Sequence, residues 1–316
     1  MKTITITRND SGQRLDRFLM KALPALPPGL RAKYIRTKSI KVNGKRAEPS
    51  QRLSEGDEIT LYIKDEFFLT SQDEEAYTLI TKAPVILYED EKILLAVKEP
   101  GLSVHEDETG NPDTLINRIK AYSVRCGSWD PESEHAFAPA LANRIDRNTG
   151  GIVIACKTAE ALRDMNALIR ERRINKYYLA AVEGDPPESG TLRGYIRKRE
   201  DENRVEVFSS PVPGARTAVT GFRVLSRRDG LSLCECRLYT GRTHQIRAQM
   251  ARAGYPLLGD GKYGRADPRW KYQALFSYKL SFPEIPDGSS LSYLSGRTFT
   301  FRNVDFVKKL FPGFSL

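Results

Sequence analysis

The spacing of apolar residues near the start of the chain predicts two short helices. Within SGQRLDRFLMKALP the apolar residues recur at intervals of three or four, which is the period of one helix face. These residues are Leu15, Phe18, Leu19, Ala22 and Leu23. A Pro-Pro-Gly break at residues 27–29 separates this helix from a second one over LRAKYIRTKSI, where Leu30 and Tyr34 lie four positions apart.

A small hairpin is predicted after the second helix. The dipeptide Asn43-Gly44 readily adopts positive φ, which is typical of the tight turn between two antiparallel strands. Further on, EGDEITLYI alternates apolar and polar positions, as expected of a half-buried strand. The first unit is therefore a small α/β domain in which two helices lie beside a hairpin.

From residue 85 the pattern predicts strands with a few helices. Short apolar runs such as VILYED, KILLAVK and GGIVIACK read as strands, and TLINRIKAY and TAEALRDMNALIRERR read as helices. Strand-like runs with Gly and Pro between them then dominate, including KYYLAAVEG, RVEVFSS, TAVTGFRVL and LSLCECRLY. We expect an α+β fold with a mixed, largely antiparallel sheet and flanking helices.

Length and charge divide the chain into three segments. Its 316 residues exceed one average domain, and 50 Lys and Arg against 40 Asp and Glu give a net charge of +10. Residues 1–64 hold 14 basic and 6 acidic side chains, whereas residues 65–78 hold five acidic and no basic ones. We therefore expect a basic domain over 1–64, an acidic linker over 65–84 and a larger domain over 85–316.

Composition excludes several classes of protein. No apolar run approaches the roughly 18 residues needed to cross a bilayer, and MKTITITRND lacks the apolar stretch of a secretory signal. Four cysteines without a repeated Cys-x-x-Cys pair favour neither a disulfide framework nor structural zinc. These features predict a cytoplasmic protein that uses no metal.

The basic N-terminal unit is a candidate RNA-binding domain. RLDRFL, the basic second helix and IKVNGKRAEPSQRLSEGDEI together resemble the small RNA-binding domain first described in ribosomal protein S-four. Phosphate contacts require clustered Lys and Arg of the kind found here. The alternative is a basic helical lid on the chain's own larger domain. The candidate RNA-binding residues are Arg14, Arg17, Arg31, Lys33, Arg36 and Lys38.

A loop carboxylate is the first candidate for catalysis. In LANRIDRNTGGIVIACKT, Asp146 stands between Arg144 and Arg147, just before a buried strand. Two neighbouring guanidinium groups favour the ionised carboxylate, which could serve as a nucleophile or a base. An ordinary loop acid that caps its turn is the alternative interpretation.

A second candidate lies in LYTGRTHQIRAQMARAGYPLLGDGKYG. There Gly241 to His244 are predicted to open a helix that Gly254 closes, which places Arg242 at the N-terminus of the helix. A cation at this positive end of the helix dipole costs several tenths of a kcal/mol, roughly, unless an anion holds it. Arg242 is therefore predicted either to pair with an anion or to pack flat on the surface.

These strings together resemble the RluA-type pseudouridine synthases. NRIDRNTGG is similar to the family's HRLDxxTSG signature, and GRTHQIR is similar to the signature that follows it. LLAVKEPGLSVH, NKYYLAAVEG and AGYPLLGDGKYG resemble three further motifs in the expected order, over about residues 85 to 283. Asn143 and Gly150 depart from the family pattern, where a His and a Ser are expected.

The resemblance implies an isomerase that converts uridine within RNA to pseudouridine without a cofactor. It implies that Asp146 is the essential carboxylate, that Arg242 is its ion-pair partner in one cleft, and that Tyr178 supports the turned-over base. Arg144 corresponds to the residue that enters the stack beside the flipped nucleotide, and His244 is expected to be structural or RNA-facing. Tyr177 is expected on the opposite face of its strand.

The RNA partner and a competing function stay open at this stage. Ribosomal RNA is the favoured substrate and transfer RNA the second, and we expect a monomer with no obligatory protein partner and no membrane contact. The departures at Asn143 and Gly150 motivate an alternative, a non-catalytic RNA-binding or ribosome-assembly factor that retains the fold. A hydrolase of free nucleosides is disfavoured by the basic N-terminal unit.

Overall fold

The fold was analysed in a computed structural model that describes residues 1–68, 76–107, 110–199 and 204–316. The segment expected to be an acidic linker, residues 65–84, is therefore described only in part. Short 3₁₀ turns occupy Asp65–Phe68 and Ala76–Leu79, and residues 69–75, which carry three of its acids, lie outside the described residues.

The N-terminal unit is a four-stranded antiparallel sheet covered by two helices. In chain order its elements are β1 (Lys2–Thr5), α1 (Leu15–Ala22), α2 (Pro28–Arg36), β2 (Ile40–Val42), β3 (Lys45–Arg46) and β4 (Glu58–Leu61). The strand order is β1-β4-β2-β3. Asn43 and Gly44 join β2 to β3 with φ of 51° and 71°, so the predicted tight turn is confirmed.

One apolar core holds this unit together. Leu15, Phe18 and Leu19 of α1 are buried against the sheet, as the periodicity of the sequence predicts. The second helix contributes Ile35 and the partly buried Leu30 and Tyr34. Burial of these side chains fixes both helices on one face of the sheet and leaves their other faces to solvent.

The rest of the chain forms one 11-stranded sheet. Its order is β11-β10-β12-β13-β9-β14-β8-β6-β5, with β15 on β14 and β7 on β8. The strands are β5 (Val85–Glu89), β6 (Ile93–Lys98), β7 (Ala140–Leu141), β8 (Gly150–Cys156), β9 (Asn175–Glu183), β10 (Ser189–Arg199), β11 (Arg204–Phe208), β12 (Arg216–Arg228), β13 (Leu231–Leu238), β14 (Leu275–Ser281) and β15 (Thr298–Thr300). Among these strands β8 and β14 run parallel and the other pairs antiparallel.

Four helices flank this sheet in the described residues: α3 (Leu115–Arg125), α4 (Ala159–Arg170), α5 (Gln245–Arg252) and α6 (Asp305–Leu310). The hydroxyl of Thr158 caps α4 by accepting a hydrogen bond from the backbone N–H of Ala161. Met165 and Leu168 of α4 are buried, in line with the predicted apolar stripe. The prediction of an α+β fold with a mixed, largely antiparallel sheet is confirmed.

The two faces of the large sheet are packed differently. Tyr178 of β9 lies in a core cluster with α5, whereas Tyr177 lies on the other face, in a cluster that includes α6. The central strands β8 and β14 are covered on both faces of the sheet, since nearly all their residues are buried. This arrangement brings the loop before β8 and the start of α5 to the same side of the sheet, where both line one cleft.

The N-terminal unit contacts the larger one through a buried carboxylate. Asp10 is fully buried and accepts hydrogen bonds from the backbone N–H groups of His135 and Ala136, at 3.1 and 3.0 Å. Asn9 donates to Glu134 at 2.6 Å, and Ala136 packs against the N-terminal core. The basic unit is therefore docked on the segment between α3 and β7.

No helix in the described part of the chain has both the length and the apolar character needed to span a membrane.

Candidate active site

A cleft of about 970 Å³ lies where the loop before β8 meets the start of α5. Among the described residues its walls carry seven Lys and Arg side chains and three Asp and Glu side chains. The bases are Arg144, Arg147, Lys176, Lys198, Arg242, Arg247 and Lys262, and the acids are Glu106, Asp107 and Asp146. Such an excess of positive charge in a concave surface attracts an anionic ligand.

Asp146 stands in this cleft, with 26% of its side chain exposed. Its loop is tied to the neighbouring segment because Gly101 donates its N–H to the carbonyl of Arg147, at 2.9 Å. The N–H of Thr149 also donates to the carbonyl of Asp146 at 3.0 Å, which closes a tight turn before β8. The carboxylate is thus presented to the cleft on a fixed backbone.

The guanidinium that pairs with Asp146 belongs to Arg247, and the prediction of Arg242 as the ion-pair partner was wrong. Nη1 of Arg247 donates to Oδ2 of Asp146 at 2.9 Å. Arg242 lines the same cleft but donates its Nε–H to the carbonyl of Thr217. The cause of the difference is the start of α5 at Gln245, three residues after Arg242, which places Arg247 in the first turn.

A second carboxylate holds Arg247 in position. Nε and Nη2 of Arg247 donate to the two oxygens of Asp260 at 2.7 and 2.8 Å, and only 1% of the Asp260 side chain is exposed. Burial opposes the charge of Arg247, but the hydrogen bonds and charge of Asp260, with those of Asp146, raise its pKa. A bidentate pair of this kind fixes the guanidinium plane and therefore the direction of Nη1. Asp260 belongs to the glycine-rich string GDGKYG, from which the sequence alone assigned no side chain to the site.

His244 is the third group beside the carboxylate. Its Nδ1 lies 2.9 Å from the hydroxyl of Tyr263, and its Nε2 lies 3.7 Å from Oδ2 of Asp146. The Tyr263 oxygen also accepts the N–H of Val205 at 2.8 Å, so Tyr263 joins His244 to β11. Burial lowers the pKa of His244 to about 4, so the ring is neutral at pH 7.

Tyr178 forms the floor of the cleft next to Asp146. The side chain is 7% exposed and lines the cleft together with Leu275 and Ile246. Burial, reinforced by the charge of Asp146, raises the pKa of its phenol to about 12. Tyr178 therefore offers an apolar ring and a protonated hydroxyl at neutral pH, and Tyr177 lies on the other face of the sheet, as predicted.

A buried lysine holds the loop that carries Asp146. Lys98 is fully buried, and its ammonium donates to the carbonyls of Glu99, Leu102 and Arg147 at 3.0, 2.9 and 2.7 Å. Burial lowers its pKa to about 7, although the charge of Asp146 works against that shift. The sequence assigned no role to Lys98, which lies in the motif LLAVKEPGLSVH. In the structure its hydrogen bonds join the end of β6 to the loop of Asp146.

The two departures from the family pattern have structural roles here. The amide oxygen of Asn143 accepts the backbone N–H of Ile154 at 2.8 Å, so this side chain joins the loop of Asp146 to β8. A Cβ at Gly150 would lie 2.6 Å from the ring of Phe276, closer than such contacts allow. The space beside β14 therefore requires glycine where the family pattern has Ser.

The other predicted RNA-binding residues are placed as follows. Arg144 is exposed at the edge of the cleft, and Arg17, Lys33, Arg36 and Lys38 are exposed on or beside α1 and α2. Arg14 is exposed but forms a bidentate pair with Asp16. Arg31 is half-buried, and its guanidinium donates to the carbonyl of Leu26 at 2.9 Å, so it is less accessible to RNA than the exposed candidates on or beside the two helices.

In chemical terms the cleft offers a carboxylate, a neutral imidazole and a phenol within a basic rim. Within residues 1–68, 76–107, 110–199 and 204–316, no three His, Cys, Asp or Glu side chains are grouped to hold a metal ion. Both Arg247 and His244 approach Oδ2 of Asp146, whereas no described side chain is bound to Oδ1. One carboxylate oxygen is thus held while the other is available to a ligand.

Comparison with protein families assigns both units. Residues 92–252 match the family described as RNA pseudouridylate synthase, and residues 13–59 match the S4 domain. The first match contains Asp146, Tyr178 and Arg247, and the second contains α1, α2 and the hairpin.

Relatives align with nearly the whole chain. An uncharacterised RNA pseudouridine synthase of Mycoplasma genitalium is 30% identical over 319 residues, which cover 98% of this chain and 96% of the relative. Ribosomal large subunit pseudouridine synthase D of Neisseria meningitidis serogroup A is 30% identical, over 92% of this chain and 77% of its own. Ribosomal large subunit pseudouridine synthase C of Escherichia coli K12 is 31% identical, over 84% and 80%.

Solved structures share the fold at lower identity. Human RNA pseudouridylate synthase domain containing 4 superposes with a TM-score of 0.56 at 21% identity, covering 73% of this chain and 92% of its own. Human RNA pseudouridylate synthase domain containing 1 gives 0.52 at 20%, covering 74% and 96%.

Proposed function

The chain belongs to the RNA pseudouridylate synthase family, and on that premise we propose that Asp146 carries the isomerisation of specific uridines in ribosomal RNA. The observation that supports Asp146 is its pairing with Arg247, which in turn is held by the buried Asp260. A carboxylate that is oriented by an ion pair in a basic cleft has the geometry expected of a catalytic group and not of an ordinary loop acid that caps its turn.

The reaction conserves every atom of the uridine. The N1–C1′ bond breaks, the uracil turns over, and C5 bonds to C1′, while the proton lost from C5 is balanced by a proton gained at N1. Asp146 acts either as the nucleophile on the nucleoside or as the base at the ribose, and Oδ1 is the oxygen left for that contact. Holding Oδ2 by Arg247 restricts the approach of the carboxylate to one direction.

The target nucleotide has to leave its helix to reach Asp146. Extrusion costs a few kcal/mol, roughly, and leaves a gap in the stack. The exposed Arg144, two residues before Asp146, stands at the edge of the cleft and fills that gap, since a guanidinium both stacks and donates hydrogen bonds. The ring of Tyr178 supports the extruded base, and its protonated hydroxyl is available for a hydrogen bond.

Ribosomal RNA is favoured as the substrate because two of the similar enzymes are ribosomal large subunit pseudouridine synthases. The exposed bases Arg17, Lys33, Arg36 and Lys38 supply the contacts of the S4 domain to the phosphate backbone. Transfer RNA remains the second candidate. We further propose that the enzyme acts as a monomer in the cytoplasm, where its RNA substrate is found.

Removal of the carboxylate tests this function. Ribosomal and transfer RNA from cells with and without the protein are mapped for pseudouridine by carbodiimide-dependent stops of reverse transcription, and one or more sites are expected to disappear without it. Asp146→Asn is expected to abolish modification of those sites, while the affinity for RNA stays within about threefold, because the substitution keeps shape and removes only the charge. Asp229→Asn, on an exposed hairpin turn, is the matched control.

Full modification by Asp146→Asn would remove Asp146 from the mechanism. A pseudouridine map that does not depend on the protein at all would favour the non-catalytic RNA-binding or assembly factor.

A further inference from the structure

The cleft carries cations that the described residues do not neutralise. Two of them, Lys176 and Arg242, line it together with Ile169 at the end of α4 and Leu238 at the end of β13. Other basic side chains of the cleft are either paired, as Arg247 is with Asp146 and Asp260 and Arg147 with Asp107, or exposed to solvent, as Arg144 and Lys198 are. Since a buried or half-buried cation is normally paired, the unpaired ones require an explanation.

Lys176 is the first of these cations. It is the second residue of β9, where its side chain shares a face with Tyr178, two positions on. The side chain is half-buried, and within the described chain its ammonium has neither a carboxylate nor a hydrogen-bond acceptor. Burial lowers its pKa.

Arg242 is the second unpaired cation. Its Nε–H reaches only a backbone carbonyl, that of Thr217, and none of the described acids pairs with its two terminal nitrogens. Burial lowers the pKa of Arg242, and the neighbouring charges that lower it further are those of Arg216 and Arg172. Arg172 lies just after α4 in a left-handed conformation, with φ of 60°. Arg242 is thus under the influence of two further cations and of no described acid.

We propose that Lys176 and Arg242 each bind a phosphodiester of the RNA strand that carries the target uridine. The proposal rests on the proposed function and adds to it the position of the strand in the cleft. An extruded uridine brings its own 5′ and 3′ phosphates with it, so one phosphodiester has to lie within a nucleotide's length of Asp146. A phosphate oxygen supplies both the charge and the acceptors that these two side chains lack.

The role of this site is binding, since no contact joins Lys176 or Arg242 to Asp146. Removal of either cation is therefore expected to weaken the complex with RNA and to leave the chemical step nearly unchanged once RNA is saturating. This separates the site from the Asp146, Arg247 and Asp260 group, where a loss is expected in the chemical step itself.

The test measures RNA affinity as a function of salt for the full chain. The probe is a stem-loop of large-subunit ribosomal RNA that the wild-type protein binds, chosen by footprinting. Lys176→Met keeps the length of the side chain and removes its charge, and Lys308→Met on α6 is the matched control on an exposed lysine. We expect Lys176→Met to raise the Kd about fivefold to twentyfold and to reduce the slope of log Kd against log salt by about 0.7 to 0.9, the loss of one phosphate contact.

A second arm identifies the phosphate. Single methylphosphonate linkages, which lack the negative charge, replace the phosphates on either side of the target uridine one at a time. At one position the substitution should weaken binding to the wild type and to Lys308→Met but have no further effect on Lys176→Met. Arg242→Gln provides a second variant in case Lys176→Met does not fold, as judged by its thermal unfolding.

An unchanged salt slope in both variants, or equal sensitivity of wild type and variant to every methylphosphonate, would overturn the proposal. Because these measurements record binding and not turnover, they decide the phosphodiester site even if the wild-type protein forms no pseudouridine. Absence of pseudouridine from the wild type would count against the proposed function alone.

Discussion

At the scale of single residues, a series of contacts fixes one side chain after another and ends at one carboxylate oxygen of Asp146. Asp260 fixes Arg247, Arg247 fixes Asp146, and Lys98 fixes the backbone of the loop in which Asp146 stands. Each of these groups is buried more deeply than the one it holds, down to Asp260 at 1% exposed. The position of the Asp146 carboxylate therefore depends on residues that are more deeply buried than Asp146 itself.

The clearest test of this series of contacts is Asp260→Asn. The amide keeps the size of the side chain but breaks the charged bidentate pair, so Arg247 loses its orientation and Asp146 loses its fixed direction. We expect the single-turnover rate of pseudouridine formation to fall about 100-fold, with RNA affinity nearly unchanged. Asp287→Asn, on an exposed loop, is the control. An unchanged rate in a folded Asp260→Asn protein would contradict the claim that Asp260 orients Asp146 through Arg247.

A second prediction concerns the acidity of His244. Its pKa is about 4 when folded and 6.5 when unfolded, so between these values the unfolded chain binds more protons. The free energy of unfolding therefore rises with pH across this window and falls as the pH is lowered from 6.5 to 4. His244→Asn should remove on the order of 3 kcal/mol of this pH dependence, at about 1.4 kcal/mol per pKa unit. Urea unfolding at several pH values measures it, and parallel curves for the two proteins would show that His244 does not titrate as described.

Sequence motifs identified most of these residues but not their pairings. Asp146, Tyr178 and Arg144 lie in the cleft, whose existence their motifs implied. The pairing of Arg242 with Asp146 was implied by the resemblance, in the string GRTHQIR, which holds two arginines, and the structure shows that the second of them, Arg247, makes the pair. Asp260 was missed because an acid within a glycine-rich string reads as a turn residue.

At the scale of elements, the central strands β8 and β14 set the position of the loop that carries Asp146. They run parallel with Gly151 opposite Ser277, and Gly151 adopts a φ of 126°. A Cβ at this position would lie 2.3 Å from the carbonyl oxygen and 2.4 Å from the nitrogen of Ser277. The two backbones therefore approach as closely as they do only because residue 151 is glycine.

Gly151→Ala is expected to lower the free energy of unfolding by about 3 kcal/mol, because it combines an unfavourable φ with a backbone clash. The separation of β8 and β14 would also shift the loop of Asp146, so activity should fall in the fraction that remains folded. Gly288→Ala, where a Cβ meets no atom within 4 Å, is the control. Equal unfolding midpoints in urea for the two variants would contradict this account of the strand pair.

Element types were easier to predict from the sequence than their partners. The helical periodicity of residues 15–23 and the apolar runs of β6 and β8 gave the correct elements, since local spacing determines which face is buried. The parallel pairing of β8 with β14, more than a hundred residues later, follows from the packing of the whole sheet and has no local signal.

At the scale of the whole molecule, the S4 domain is attached by specific contacts as well as by the linker. Asp10 satisfies two backbone N–H groups of the segment between α3 and β7, and burial raises the pKa of Asp10 despite those bonds. Tyr77, within the linker, packs against Trp129 of the same segment, with 5.4 Å between ring centroids. The charge pattern of the sequence indicated two units but could not show contacts made by so few polar residues.

Asp10→Ala tests the docking. It leaves the N–H groups of His135 and Ala136 without a partner, which costs about 1–3 kcal/mol when such groups stay buried. We expect faster hydrogen exchange at these two amides and a severalfold weaker affinity for RNA, with the single-turnover rate unchanged at saturating RNA. Glu132→Ala, an exposed position in the same segment, is the control. Unaltered exchange at His135 and Ala136 would show that the contact with Asp10 does not hold the domains together.

The docked S4 domain fixes the distance between its basic helices and the cleft. With the basic helices and the cleft fixed relative to each other, the structured RNA gripped by the helices and the uridine delivered to Asp146 must be separated by one set span. We therefore expect a uridine in the right sequence to escape modification when it lies a few base pairs nearer to, or farther from, the RNA bound by the helices. Selectivity would then depend on the position of the uridine along the RNA as much as on recognition of the base.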